Sequence, residues 1–124
     1  MRKATLMILL AVVSSGAVAE WVKVSENDAV FFYIDPATIR RNGDFRRVWE
    51  MRNMKKIDKD GVMSVRALME YDCKEERSRI LSISEHSEPM LGGKVLLSAD
   101  DPSTWRYAAP GTVFESTLKI VCAK

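Results

Sequence analysis

The chain has 124 residues, 47% hydrophobic and 29% charged, with 19 basic against 17 acidic side chains. That length holds one domain with one core and excludes a second. Because the two excess cations are Arg2 and Lys3, the rest of the chain is neutral and lacks the basic footprint that nucleic-acid binding requires.

Met1-Arg2-Lys3 precedes the almost wholly apolar run Ala4 to Val13, and small residues from Ser14 to Ala19 follow. This is the three-part form of a secretory signal peptide. The expected division is a leader over residues 1–19 and a single domain over 20–124. The apolar run is shorter than the roughly 20 residues of a membrane helix. With no cysteine near the cleavage point, no lipid anchor is expected, and the chain reads as exported, either periplasmic or secreted.

Trp21, Lys23 and Ser25 alternate with Val22 and Val24 and predict a first strand. The apolar run Ala29 to Ile34 predicts a second, buried one. Asp35 ahead of Pro36 predicts a capped turn through Ile39. Asn42-Gly43 predicts a type I′ hairpin, and Phe45 to Met54 its second strand. There Phe45, Trp49 and Met51 are expected toward the core and Arg46, Glu50 and Arg52 toward solvent. Lys55 to Gly61 forms a charged loop.

Ser64 to Ser84 is the predicted centre of the fold. Val65, Ala67, Met69, Tyr71 and Cys73 share one parity while Ser64, Arg66, Glu70 and Asp72 share the other, the period of a half-buried strand. Lys74-Glu75-Glu76 turns the chain into a return strand from Arg77 to Ser84. His86 to Lys94 reads as loop, Val95 to Leu97 as a short edge strand and Ser98 to Thr104 as irregular. Thr112 with Glu115 then forms a capping-box pattern, and Phe114, Leu118, Val121 and Cys122 fall on one helical face. The expected architecture is α+β: a single antiparallel sheet of five to six strands with a C-terminal helix packed on it.

The two cysteines of an exported domain point to one intramolecular bridge, Cys73 to Cys122, against free thiols or an intermolecular bridge. The helical periodicity turns Cys122 inward, toward Cys73. Closing such a loop contributes roughly 4 kcal/mol on the chain-entropy account.

Candidate chemistry is sparse. His86 is the only histidine, and a Ser-His-acid set drawn around Ser84, Glu85, Ser87 and Glu88 competes with the ordinary reading of a solvated loop residue. Asp58 and Asp60 lack the remaining positions of a calcium loop and read as a charged turn. Met51 and Met69 read as core filling rather than copper ligands. Neither catalytic residues nor a metal or other cofactor is therefore expected. One charge asymmetry stands out: Arg40, Arg41, Arg46, Arg47, Arg52, Lys55 and Lys56 face only Asp44 and Glu50 between Arg40 and Lys56. Such a hairpin suits sulfated glycans or anionic surface polymers, although a solvated hairpin is the plainer reading.

Phe32-Tyr33-Ile34-Asp35 with Ile39, Arg47-Val48-Trp49, Tyr71-Asp72-Cys73, Trp105 ahead of Pro110-Gly111-Thr112, and Ile120-Val121-Cys122 together resemble the surface-adhesin E family of small exported Gram-negative proteins. The resemblance spans nearly all of the predicted domain. It implies an antiparallel sheet with a packed helix, a disulfide from the central strand to that helix, no enzymatic role, binding of host matrix or plasma proteins, and a capacity to dimerise. The family's ligand-binding region overlaps the central strand and its return strand, which here offer Arg66, Lys74, Arg77 and Arg79 among Glu70, Asp72, Glu75 and Glu76.

The functional expectation is thus a non-catalytic envelope protein that binds a protein or an anionic glycan. Its possible binding residues are Arg40, Arg41, Arg46, Arg52, Lys55, Lys56, Arg66, Lys74, Arg77 and Arg79. The alternatives are a periplasmic enzyme inhibitor of the lysozyme-inhibitor kind, which predicts an acidic protruding loop, and an envelope hydrolase built on His86.

Overall fold

A computed structural model describes residues 19–123; all but the last residue of the expected leader lies outside them. Among the described residues eight strands form one antiparallel sheet: β1 (Val22–Glu26), β2 (Val30–Ile34), β3 (Arg40–Asn42), β4 (Phe45–Met54), β5 (Ser64–Asp72), β6 (Arg77–His86), β7 (Val95–Ala99) and β8 (Arg106–Tyr107). The main path runs β1-β2-β4-β5-β6-β7, with β3 added to β4 and β8 to β6. The helix α1 (Val113–Cys122) follows.

Eight strands replace the five to six expected. The two additions, β3 and β8, have three and two residues, too few to show a period of their own. Two further strands outrun their predicted ends. β6 continues through His86 because Glu85↔Leu97 and His86↔Val95 are register partners, and β7 through Ala99 because Ser98 and Ala99 pair with Ser84 and Ile83, none of which a reading of either segment alone sees. The hairpin turn also differs. Asn42 pairs with Phe45, which leaves Gly43-Asp44 as the loop, and within it only Gly43 has a positive φ, +62°. That is the pattern of a type II′ turn, with glycine first, rather than type I′.

The core joins Ile34, Val48, Ala67, Met69 and Tyr71 of the sheet to Leu118 and Val121 of α1. Thr112 caps the helix by accepting from the Glu115 N–H at 3.3 Å, and Glu115 returns the contact to the Gly111 N–H at 3.0 Å. Cys122 in the last turn is bonded to Cys73 just beyond β5, with their Cα atoms 5.8 Å apart. The expected bridge is therefore present, and it ties the helix end to the sheet centre.

Two face assignments are corrected. Val48↔Met69 and Glu50↔Ala67 are register partners, so the helix side of β4 carries Arg46, Val48, Glu50 and Arg52, and the side with Phe45, Trp49 and Met51 faces away from the helix, where Met51 is nevertheless buried as expected. Pairing with β5 fixed the face, over the larger apolar count on the other parity. Phe114, expected inward, is 44% exposed, because it opens the first turn of α1, beyond the core cluster that Leu118 and Val121 enter.

Candidate binding face

The sheet face away from α1 is built from alternate residues of β4, β5 and β6. Register places Arg47 opposite Glu70, Glu70 opposite Arg79, and Asp72 opposite Arg77. Glu70 is consequently shared, with one oxygen 3.2 Å from the Arg47 Nε and the other 2.8 Å from the Arg79 Nη2. Asp72 holds the Arg77 Nε at 2.9 Å.

Parity had placed Ser64, Glu70 and Asp72 toward solvent, yet all three are buried. The carboxylates are covered by the arginines that neutralise them, and Ser64 is covered by a 3-10 turn, Pro89–Leu91. That turn is pinned because the Leu91 N–H donates to the Ser64 hydroxyl and the Met90 N–H to the Asn53 side chain, both at 2.9 Å. It closes one end of the face.

Aromatic rings organise the remainder. The Arg66 guanidinium lies 3.9 Å from the centre of the Trp49 ring. Arg77 and Arg79 lie 4.6 and 4.5 Å from the centre of Trp105, which also meets Phe45 at 6.0 Å. Each stack orients a guanidinium while leaving it charged. At the hairpin end a hollow of about 260 Å³ is lined by Arg40, Arg41, Asn42, Phe45, Arg47 and Glu70. The face thus carries Arg47, Arg66, Arg77 and Arg79 against Glu70 and Asp72, with Arg40 at its rim. Its excess charge is positive and its cations are held in place.

The titration of the acids fits this arrangement. Burial pushes the Asp72 carboxyl up, but the Glu75 N–H and the Arg77 guanidinium outweigh it, so the group stays below the usual aspartate range. At the β1 edge the Lys55 and Lys23 ammonium groups hold Glu26 at about 2. On the helix side, burial pushes Glu50 up to about 7 against the opposing pull of the Tyr71 hydroxyl bond and the Arg52 charge.

The ten cations singled out in the sequence do not converge on one patch. Arg66, Arg77 and Arg79 lie on the helix-free face, with Arg40 at its rim. Arg41 and Arg46 alternate to the other side: Arg41 reaches the Ala123 carbonyl at 3.5 Å, and Arg46 donates to the Gly43 carbonyl at 2.8 Å. Arg52 sits on the helix side, 5.7 Å from the ring centres of both Phe32 and Phe114. Lys55 is bound to Glu26 at 2.8 Å, while Lys56 and Lys74 are exposed in a loop and a turn. Sequence reading placed Arg47 in the basic hairpin but missed Phe45, Trp49, Glu70 and Trp105 as parts of a site. One signal was available: Glu70 and Asp72 mirror Arg79 and Arg77 across the turn after Cys73, as a charge-matched hairpin does.

His86 lies in β6 rather than in a loop, and its Nε2 is 2.8 Å from the Ser84 hydroxyl. Ser84 is paired on both sides, with Arg66 and with Ser98, and among the described residues no carboxylate hydrogen-bonds the His86 ring. Asp58 spends a carboxylate oxygen on the Asp60 and Val62 N–H groups, at 2.8 and 2.9 Å, which closes its own turn.

Residues 21–123 match the family described as Surface-adhesin protein E. No curated protein matches by sequence. Three structures of Haemophilus influenzae protein E share the fold. The selenomethionine form aligns with a TM-score of 0.62 at 16% identity, covering 87% of this chain and 89% of that one. Crystal form II gives 0.58 at 17% identity, covering 86% and 96%, and a further structure gives 0.60 at 15%, covering 87% of each.

Proposed function

We propose that this chain, which belongs to the surface-adhesin protein E family, is a non-catalytic envelope module that binds an acidic macromolecule on the helix-free face of its sheet. The observation that carries this reading is the set of arginines fixed there against tryptophans, Arg66 on Trp49 and Arg77 with Arg79 on Trp105. Arginine and tryptophan dominate the binding energy of protein interfaces. Side chains already held in one geometry lose little entropy when a partner arrives. Forked guanidinium groups suit carboxylates and sulfates, so the partner is an acidic protein surface or an anionic glycan.

Residues 1–19 act in this reading as an export signal and residues 20–124 as the single domain, periplasmic or secreted. No helix of the described residues is long and apolar enough to cross a membrane. The inhibitor alternative calls for an acidic protruding loop, whereas Lys55 to Gly61 mixes both signs and its Asp58 is engaged internally. Among the described residues a hydrolase on His86 finds a serine but no orienting acid.

The test is pull-down and glycan-array binding with the purified oxidised protein and an Arg66→Ala, Arg79→Ala variant. Retention of an acidic partner at micromolar concentration, weakened in the variant, is the expected result. No partner, or equal binding by the variant, overturns the reading.

A further inference from the structure

The helix covers only part of its own side of the sheet. Ten residues span about 15 Å, and α1 packs over β1, β4 and β5. The region above β6 is left to the chain that returns from β8. Between that return and the first turn of α1 lies a cavity of about 320 Å³.

Met69, Ile80 and Phe114 supply apolar walls, and Arg52, Arg79 and Arg106 are its cationic lining residues. Arg79 is committed to Glu70 at 2.8 Å. Arg52 and Arg106 form no ion pair among the described residues. Arg52 is further held at equal distance, 5.7 Å, from the Phe32 and Phe114 ring centres. Its five N–H donors are therefore positioned by rings that accept none of them in the plane of the fork. The nearest acid along the same face of β4, Glu50, is bonded to Tyr71. An apolar cavity with few, fixed polar groups is the usual form of a small-ligand site.

We infer that this cavity binds a small amphipathic anion, its carboxylate or sulfate head on Arg52 and its short apolar tail against Met69, Ile80 and Phe114. At about 30 Å³ per water-sized group the space holds about ten such groups, the size of an eight-carbon chain with its head. Arg79 is the one lining residue shared with the arginine–tryptophan face, where its guanidinium is held by Glu70 and Trp105. Arg52 and Arg106 belong to the cavity alone, so variants at these two positions leave the proposed function standing if they fail, and Arg66 variants leave the cavity untouched.

Calorimetric titration of the purified protein with octanoate, octyl sulfate, octanol and acetate tests the inference. Saturable one-to-one binding is expected for the octyl anions, with octanol and acetate at least about tenfold weaker. A preference between octanoate and octyl sulfate identifies the head group. Arg52→Gln is expected to weaken octanoate about tenfold, and Lys56→Gln to leave it unchanged. Nuclear Overhauser contacts from the octanoate chain should reach Met69 and Phe114. If Arg52→Gln does not fold, Arg52→Lys and Arg106→Gln provide the decision, both weakening the anions and sparing octanol. Absence of saturation, equal affinity for octanol, unchanged binding in the Arg52 and Arg106 variants, or contacts only to Val95, Leu96 and Leu97 overturns it.

Discussion

Tyr71 donates its hydroxyl to Glu50 inside the layer between sheet and helix, where both residues are buried. A carboxyl in that setting retains its proton well above the usual glutamate range. Its titration moves from 4.5 in the open chain to about 7 in the fold. Because the folded pKa is raised, the stabilising contribution is full below about pH 4.5 and is lost as pH rises through 7, by roughly 3 kcal/mol at most. Denaturant midpoints are expected to fall across that window in the native protein and to stay flat in Glu50→Gln. Asp72 acts with the opposite sign, since its lowered folded pKa gives a contribution that disappears as the medium becomes acid. A Glu50→Gln protein with an undiminished decline between pH 5 and 7 places the titration elsewhere.

The Cys73–Cys122 bridge spans 49 residues and joins the sheet centre to a helix too short to be stable alone. Replacing both cysteines by alanine is expected to cost about 2 to 5 kcal/mol, on the scale of native disulfides in small secreted domains. Unfolding curves with and without reductant measure it. The loss should coincide with fraying of α1, read from amide exchange at Leu118 and Val121.

Arg66 is expected to matter for binding and little for folding. Its exposed stack on Trp49 contributes about 0.5 to 1 kcal/mol, so Arg66→Ala should melt within a few degrees of the native protein. Arg79→Ala also strips a counter-ion from the buried Glu70 and should cost a further sum of about 1 to 3 kcal/mol. Partner affinity falls several-fold or more in both. Lys56→Ala in its loop and Lys119→Ala on α1, which lie off this face, serve as controls. Equal loss in the controls points to general charge attraction rather than a site.

Glu70→Gln separates the two roles of that carboxylate. With its charge removed, Arg47 and Arg79 lose their shared counter-ion, and stability is expected to drop by about 1 to 3 kcal/mol. Affinity for an anionic partner should rise, since two guanidinium groups become available. Binding assays on the folded variant decide this, and a fall in affinity shows that Glu70 orients the arginines instead of competing for them.

Gly93 has φ +71°, and a Cβ built there would stand 2.2 Å from the Ser87 hydroxyl oxygen. Gly93→Ala should therefore destabilise by about 1 to 3 kcal/mol and loosen the turn that seals one end of the binding face. Gly61 has φ +82° with nothing within 4 Å, so Gly61→Ala should cost only the backbone preference, about 1 kcal/mol. Thermal melts of the two variants compare the effects directly.

Local pattern carried the extended segments, the capping box from Thr112 to Glu115, the pairing of Cys73 with Cys122 and the family resemblance, which the match over residues 21–123 bears out. Each depends on neighbours in the chain or on a small count of residues. Which side of β4 meets the helix, the burial of Glu50, Glu70 and Asp72, and the meeting of Arg79 with Trp105 depend on strand register. Register joins positions such as Arg47 and Glu70 that lie 23 residues apart, and it inverts every side chain of a strand when it shifts by one. Sequence alone therefore determined the longer elements, the bridge and the family, whereas only the tertiary structure decided the short strands β3 and β8 and which arginines share a face, because those choices are made between strands and not within them.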